Sequence, residues 1–497
     1  MPDAVPDAAA VAVPNAGANA VPNAGVARPS DLLATAQWAT AHERLVETLR
    51  TLIRIPSINP PDPPGPELDA ANVIAAMLGE SGIPSTVYEP VPGRGSVVAR
   101  LRGDGSGGDP LLLLSHLDVV PAPPDRWTHD PFAADVADGY VYGRGAVDMK
   151  NLVAMELEVV RILAESATAA GLDPAADPVP GLRRDILLAV TAAEEAGGRE
   201  GAGWLVDHHP EHLKAAGAIS EAGGVSLDIG GRRLYPIQVA EKGYAVYKLT
   251  FRGTWGHGSM PRSDNAAVMA AEAIRRLAEP GTPRVTPVMA AFFESAADAL
   301  GGEAATLLRA LATGDPGRTE AAIDRLCVPV YARAVRALVR DTISPNVIHA
   351  GVKYNVIPGE ATLELDCRLL PGTDEAAMRA DVVERLGPEL AAACTIELTI
   401  VAPPVVADVD SDLYRVLART IVDHDPEGVP LPVMAPFATD AKHLDRIGVP
   451  AYGFSPLRLD PAETFLERYH GVDERVGLDA LRWGLPVLYD AVVRFCG

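Results

Sequence analysis

Residues 111–127 read LLLLSHLDVVPAPPDRW. The four leucines form a short apolar run of the kind that a parallel sheet buries on both faces. The run ends abruptly in His116 and Asp118. Open α/β sheets hold their ligands at such strand ends. In an extended chain, residues two apart share a face, so the Asp118 carboxylate can hold one imidazole nitrogen of His116 while the other faces outward. Metal-binding histidines are oriented in this way. Taken alone, an H-x-D is also explained as a capped strand end with solvated polar groups.

Outward from this stretch, strands and helices alternate. Leu45, Leu49, Leu52 and Ile53 fall at helical spacing within 36–55, and the proline-rich INPPDPPGP stops that helix. A second helix is expected over 67–79, strands at 96–100 and 111–115, a helix opening near Asn151, and a strand at 185–193. The Ala/Pro/Asp segment between Ala164 and Arg184 reads as a surface loop. The pattern predicts an α/β fold: a mainly parallel sheet flanked by helices.

After Gln238 the pattern changes to strand, helix, two strands, helix, strand, ending with CTIELTIVAPP at 394–404. This β-α-β-β-α-β succession predicts a smaller α+β domain inserted into the first. The expected division is 31–237 with 405–497 for the larger domain and 238–404 for the inserted one, with a largely helical insertion at 282–342. Residues 1–30 repeat VPNAG and offer little to bury, so a disordered tail is expected there. Prolines break any secretory signal, which points to the cytoplasm.

The formal charge of −23 repels a phosphate backbone and argues against nucleic acid as a partner. No apolar run approaches the roughly 20 residues of a membrane span. Cys327, Cys367, Cys394 and Cys496 are far apart, which excludes a C-x-x-C zinc site.

His116 and Asp118 are not isolated. GRGAVDMKN puts Asp148 in a glycine-rich turn before a helix, TAAEEAGGREG ends a strand with Glu194 and Glu195, AISEAGG carries Glu221, and RYHGVDERV carries His470. Ligand-type residues thus recur at the ends of separate elements. The ordered set SHLDVVP, Trp127, Pro131-Phe132, GRGAVDMK, EE-x-GG, Glu221 before Gly-Gly and the late histidine resembles a family of dinuclear zinc hydrolases. That family includes aminoacylases, acetylornithine deacetylase, succinyl-diaminopimelate desuccinylase and glutamate carboxypeptidases. GTWGHGSMP and NVIP in the inserted domain extend the likeness.

The resemblance implies that His116 and Glu221 bind one metal, Glu195 and His470 the other, and that Asp148 bridges them. Zinc suits these ligands, with cobalt or manganese as substitutes. It also implies that Glu194 is the general base. Neighbours in an extended chain point oppositely, so Glu194 and Glu195 cannot share one task; the competing reading makes both solvated carboxylates at a helix start. Asp118 supports His116. The family often has aspartate before the pair, where this chain has Ala193. His257 corresponds to the histidine that steadies the oxyanion, often from a partner subunit, although a structural role in its turn competes. Arg368, with Asn346, corresponds to a clamp for the substrate carboxylate, and a strand salt bridge is the alternative for Arg368. Asp440 matches a family segment without an assigned chemical role. His208, His209 and His212 read as solvated.

The expected function is metal-dependent hydrolysis of an amide bond beside a free carboxylate, with an N-acyl-amino acid or a short peptide as substrate. A carboxypeptidase or dipeptidase is the alternative. A catalytically silent binding or assembly protein, which would have lost Glu194 or a ligand, is the alternative from another class. The resemblance further implies a homodimer formed through the smaller domain.

Overall fold

A computed structural model describes residues 28–59, 66–325, 329–461, 463 and 467–497. Eight strands of a ten-stranded sheet run in the order Ser85–Val91, Arg94–Leu101, Ile186–Thr191, Leu111–His116, Gly217–Ser220, Ala451–Gly453, Arg232–Glu241 and Val405–Val406. The central four, from Ile186–Thr191 to Ala451–Gly453, are parallel. Antiparallel strands flank them.

The leucine run is explained by this central position. Leu111 and Leu113 pack on one face against the helices Thr35–Ile53, Lys150–Ala169 and Leu478–Cys496. Leu112 and Leu114 pack on the other face with Leu205, Val206 and Leu444. Each leucine is at most 1% exposed, and burial of such a side chain contributes roughly 1.5–3 kcal/mol. A one-residue slip would exchange the faces but keep both apolar, so register rests on the polar residues at the strand tips.

The smaller sheet has the order Thr342–Ala350, Glu360–Leu369, Gly243–Arg252, Cys394–Ala402, all antiparallel. Helices Ala266–Leu277 and Glu375–Ala392 cover one face of it. The β-α-β-β-α-β order is therefore present.

Several boundaries differ from the sequence reading. The strand Arg232–Glu241 stays in the large sheet past Gln238, pairing with Val429–Ala435 and Val405–Val406. The helical insertion does not serve the small sheet. Its Met289, Phe293, Leu311 and Ile323 form a core with Ala240 and Met434, so it docks on the edge of the large sheet, where apolar strand residues need cover. Helix Lys150–Ala169 runs beyond Ala164, and Val179 and Leu182 in the expected surface loop are buried. Residues 1–27 of the expected tail, and Cys327, lie outside the described residues. At the tail's end Ser30 is docked: its N–H and hydroxyl donate to Asp490 at 2.6 and 2.8 Å. Among the described residues, no helix is long and apolar enough to cross a membrane.

Candidate active site

Three parallel strands end at one edge and deliver His116, the Glu194–Glu195 turn after Thr191, and Glu221 after Ser220. Asp148 arrives from the turn before helix Lys150–Ala169, and His470 from a late loop. These residues converge. Asp148 lies between the two imidazoles, with Oδ1 3.4 Å from His116 Nε2 and Oδ2 3.1 Å from His470 Nε2. Glu221 Oε1 is 3.8 Å from His116 Nε2, and Glu195 Oε1 is 3.2 Å from His470 Nε2. One carboxylate thus faces two imidazole–carboxylate pairs.

The local backbone is bent to achieve this. Ala193, Ala222 and His470 have φ of 61°, 69° and 55°, a left-handed conformation that costs energy for a residue other than glycine and persists where surrounding structure enforces it. At Gly198, φ is 72° and a Cβ would lie 2.0 Å from an Asp440 oxygen, so only glycine fits. The glutamate pair was expected in an extended segment. It occupies a 3-10 turn instead, because the Asp118 carboxylate accepts the N–H groups of both Glu194 and Glu195 at 3.0 Å. The two side chains still diverge: Glu195 meets His470, while Glu194 lies 3.7 Å from Lys442 Nζ.

Asp118 also differs in detail from the sequence reading. The closest acceptor for His116 Nδ1–H is the Asp118 backbone carbonyl at 3.0 Å, with the carboxylate at 3.5 Å. The carboxylate instead anchors the glutamate turn and accepts from Asn59 Nδ2 at 2.8 Å, and Arg94 holds Asn59 and Glu67 in turn.

With Nδ1 on the Asp118 carbonyl, Nε2 is the ring atom left facing Asp148 and Glu221, buried and without a hydrogen-bond partner among the described residues. Burial disfavours a charged ring, yet the Asp118, Asp148 and Glu221 carboxylates overcome it and hold the His116 pKa well above its ordinary value. Hydrogen bonds to Asp148 and Glu195 raise His470 to about 10. Burial works against the Asp148 carboxylate, but the two imidazoles hold it far below the usual range. Burial, then the Glu221 charge, pushes Glu194 well up. So much negative charge in one crevice calls for cations, and divalent metals displace the imidazole protons that otherwise supply them. His116, Asp148 and Glu195 offer ligand atoms within 4.8 Å of one another, as do His116, Glu194 and Glu221. The donor set therefore fits metal.

The remaining sequence candidates lie in the smaller domain. His257 is exposed and its Nδ1 bonds Ser259 at 2.8 Å. Asn346 is exposed and accepts from Ser344 at 2.7 Å. Arg368 makes a two-pronged pair with Asp366 at 2.7 and 3.0 Å and lies over the Tyr244 ring. Among the described residues, the hydrogen bonds of these three side chains stay within the smaller domain, apart from the cluster around Asp148. Asp440 does join its surroundings: Oδ2 accepts from Thr191 at 2.9 Å, and Lys442 Nζ is 3.9 Å from Oδ1. Sequence reasoning missed Lys442, Asn59, Arg144 and Glu474. Lys442 and Glu474 stand in the same motifs as Asp440 and His470, but charge alone does not tell a buried partner from a solvated one.

A mostly parallel sheet whose strand tips gather carboxylates and imidazoles, with Asp148 between His116 and His470, defines a metal-dependent hydrolase. The chain belongs to peptidase family M20/M25/M40, whose model matches residues 112–494. It is 27% identical over 460 residues to the N-fatty-acyl-amino acid synthase/hydrolase PM20D1 of Xenopus tropicalis, covering 88% of this chain and 83% of that protein. It is 29% identical over 403 residues to a probable carboxypeptidase S-like 2 of Dictyostelium discoideum, covering 77% and 70%. Among solved structures, the M20 family metallo-carboxypeptidase Sso-CP2 from Sulfolobus solfataricus has a TM-score of 0.65 at 19% identity, covering 91% of this chain and 99% of that one. Human carnosine dipeptidase 1 has a TM-score of 0.63 at 16% identity, covering 92% and 98%. These two structures share the fold.

Proposed function

We propose that this chain is a dinuclear zinc hydrolase that cleaves the amide of an N-acyl-amino acid beside its free carboxylate. The observation that carries the reading is Asp148, one oxygen toward the His116–Glu221 pair and the other toward Glu195–His470. His116 and Glu221 would hold one ion, Glu195 and His470 the other, and Asp148 both. Bound there, the ions supply Lewis acidity and make water a stronger acid.

Glu194 takes a proton from the attacking water and returns it to the leaving nitrogen as the C–N bond breaks and the C–O bond forms. Asp118 fixes the turn carrying Glu194. Arg368 exchanges Asp366 for the substrate carboxylate, using the same planar fork of donors; Asn346 lies further along the neighbouring strand, at the bulge opposite Leu365 and Glu364.

His257 is proposed to donate to the carbonyl oxygen as charge develops there, in the site of a second copy of the chain. The small domain supports this dimer: Trp255 and Met260, on either side of His257, are 57% and 66% exposed, and Ile348, Val352 and Tyr354 are exposed as well. Cys367, Cys394 and Cys496 are unpaired, in keeping with the reducing cytoplasm.

Carboxypeptidase or dipeptidase action remains the second reading, because the relatives include a probable carboxypeptidase. Panels of N-acyl-amino acids and of dipeptides, run with wild type and Glu194→Gln, test both. Faster acyl-amino-acid turnover that falls by orders of magnitude in the variant, with metal retained, supports the proposal. Preferential dipeptide turnover overturns the deacylase reading, and an unchanged variant overturns the role of Glu194. Light scattering tests the dimer, which a mass near 52.1 kDa would exclude.

A further inference from the structure

The turn that follows helix Ala202–His208 carries a second group of donors, apart from the bridging-aspartate cluster. His209, Glu211 and His212 each offer one ligand atom, and the three lie within 4.8 Å of one another. The sequence reading took these histidines as solvated, but the structure gives them a defined arrangement. Pro210–His212 is a 3-10 turn, and side chains three apart nearly eclipse in that geometry. The His212 N–H donates to the His209 carbonyl at 3.1 Å, which closes the turn. His209 Nδ1 is 3.2 Å from Glu211 Oε1, and His212 Nε2 is 4.0 Å from the same oxygen.

A neighbouring strand holds both rings. Tyr88, from Ser85–Val91, stacks on His209 with centroids 4.3 Å apart, and its hydroxyl is 3.0 Å from His212 Nε2. A simple surface ion pair needs only His209 and Glu211. Here a second imidazole stands beside the same carboxylate, its Nε2 3.0 Å from the Tyr88 hydroxyl and 4.0 Å from Glu211 Oε1.

We propose that His209, Glu211 and His212 form a further divalent-cation site, for zinc or nickel, separate from the dinuclear centre. Two imidazoles and a carboxylate suit those ions, and three protein ligands leave a position for solvent. Metal–ligand bonds of about 2.0–2.2 Å require the donors to close up. Glu211, with its side chain 63% exposed, is free to swing inward. His212 exchanges its bond to Tyr88 for the ion while Tyr88 stays stacked on His209. The bound ion ties the turn together at the end of the helix that leads away from the Glu194–Gly198 loop.

The test counts zinc in untagged holoenzyme by mass spectrometry after equilibration with zinc ions and desalting, for wild type, His209→Ala and His212→Ala. Wild type is expected to carry one more zinc per chain than either variant, with equal amide hydrolysis and equal circular dichroism. Nickel ions added to the enzyme as purified, before any zinc equilibration, are expected to quench Trp204, whose ring centroid is 5.3 Å from that of His209. Both variants should lose that quenching. Equal zinc content and equal quenching in all three proteins overturns the proposal. Because the readout is the difference between wild type and variants, it does not depend on how full the dinuclear centre is.

Discussion

Glu474 holds Asp148 by its backbone: one carboxylate oxygen accepts the N–H groups of Val147 and Asp148 at 2.8 and 3.1 Å, and the other accepts from Arg144 at 2.6 Å. Arg144 also donates to the Gly471 carbonyl at 3.0 Å, next to His470. A single buried ion pair therefore sets Asp148 and His470 relative to each other. Glu474 and Arg144 side chains are 0% and 3% exposed. Glu474→Gln leaves the Arg144 charge without its counter-ion. Urea unfolding should show a loss of about 3–5 kcal/mol, and competition with a chelator should show metal affinity weakened about 10–100-fold.

Lys442 Nζ lies 3.7 Å from Glu194 Oε1. It is buried, donates to the Thr439 carbonyl at 2.7 Å, and approaches both Glu194 and Asp440. Its position allows it to steady the carboxylate form of Glu194 after each proton is released. Lys442→Met should lower kcat about 10-fold or more, a fraction of what a general base supplies, with little change in KM. Lys442→Arg should recover most of that rate. Steady-state kinetics on the three proteins checks both expectations.

Glu156 gives the fold a pH dependence separate from catalysis. Burial pushes its carboxyl from 4.5 up to about 8, only partly offset by the Ser115 hydroxyl, which donates to it at 2.7 Å. The folded chain keeps a proton that the unfolded chain releases above about 4.5. The stability from this group is therefore complete below that pH, falls as pH rises, and is gone once pH passes about 8. Glu156→Gln removes the titration. In thermal melts across that range, the Tm of the variant relative to wild type should climb with pH and level off above 8.

Much of this was legible in the sequence where the pattern was itself physical. LLLLSH reads as a buried strand with a functional tip because both faces of Leu111–His116 are covered. His116, Glu195 and Glu221 stood out because they stand at strand ends and Asp148 because it precedes a helix, whereas His470, in a loop, stood out through the family resemblance of its segment. The strand Val429–Ala435 was missed, since VPLPVMA carries two prolines and sits beside Arg232–Glu241 only through long-range pairing. The docking of helices 287–338 on the large sheet was equally hidden: an amphipathic helix shows that it has an apolar face, not which sheet receives it. The glutamate turn was misjudged because Asp118, far away in sequence, supplies the acceptors that bend it.

The proposed chemistry needs two metal ions, one on either side of Asp148. Anomalous diffraction from zinc-loaded crystals, recorded above and below the zinc absorption edge, reads this directly. Two peaks are expected, one among His116, Asp148 and Glu221 and the other among His470, Asp148 and Glu195. A single peak, or peaks that bypass Asp148, would contradict the proposed chemistry.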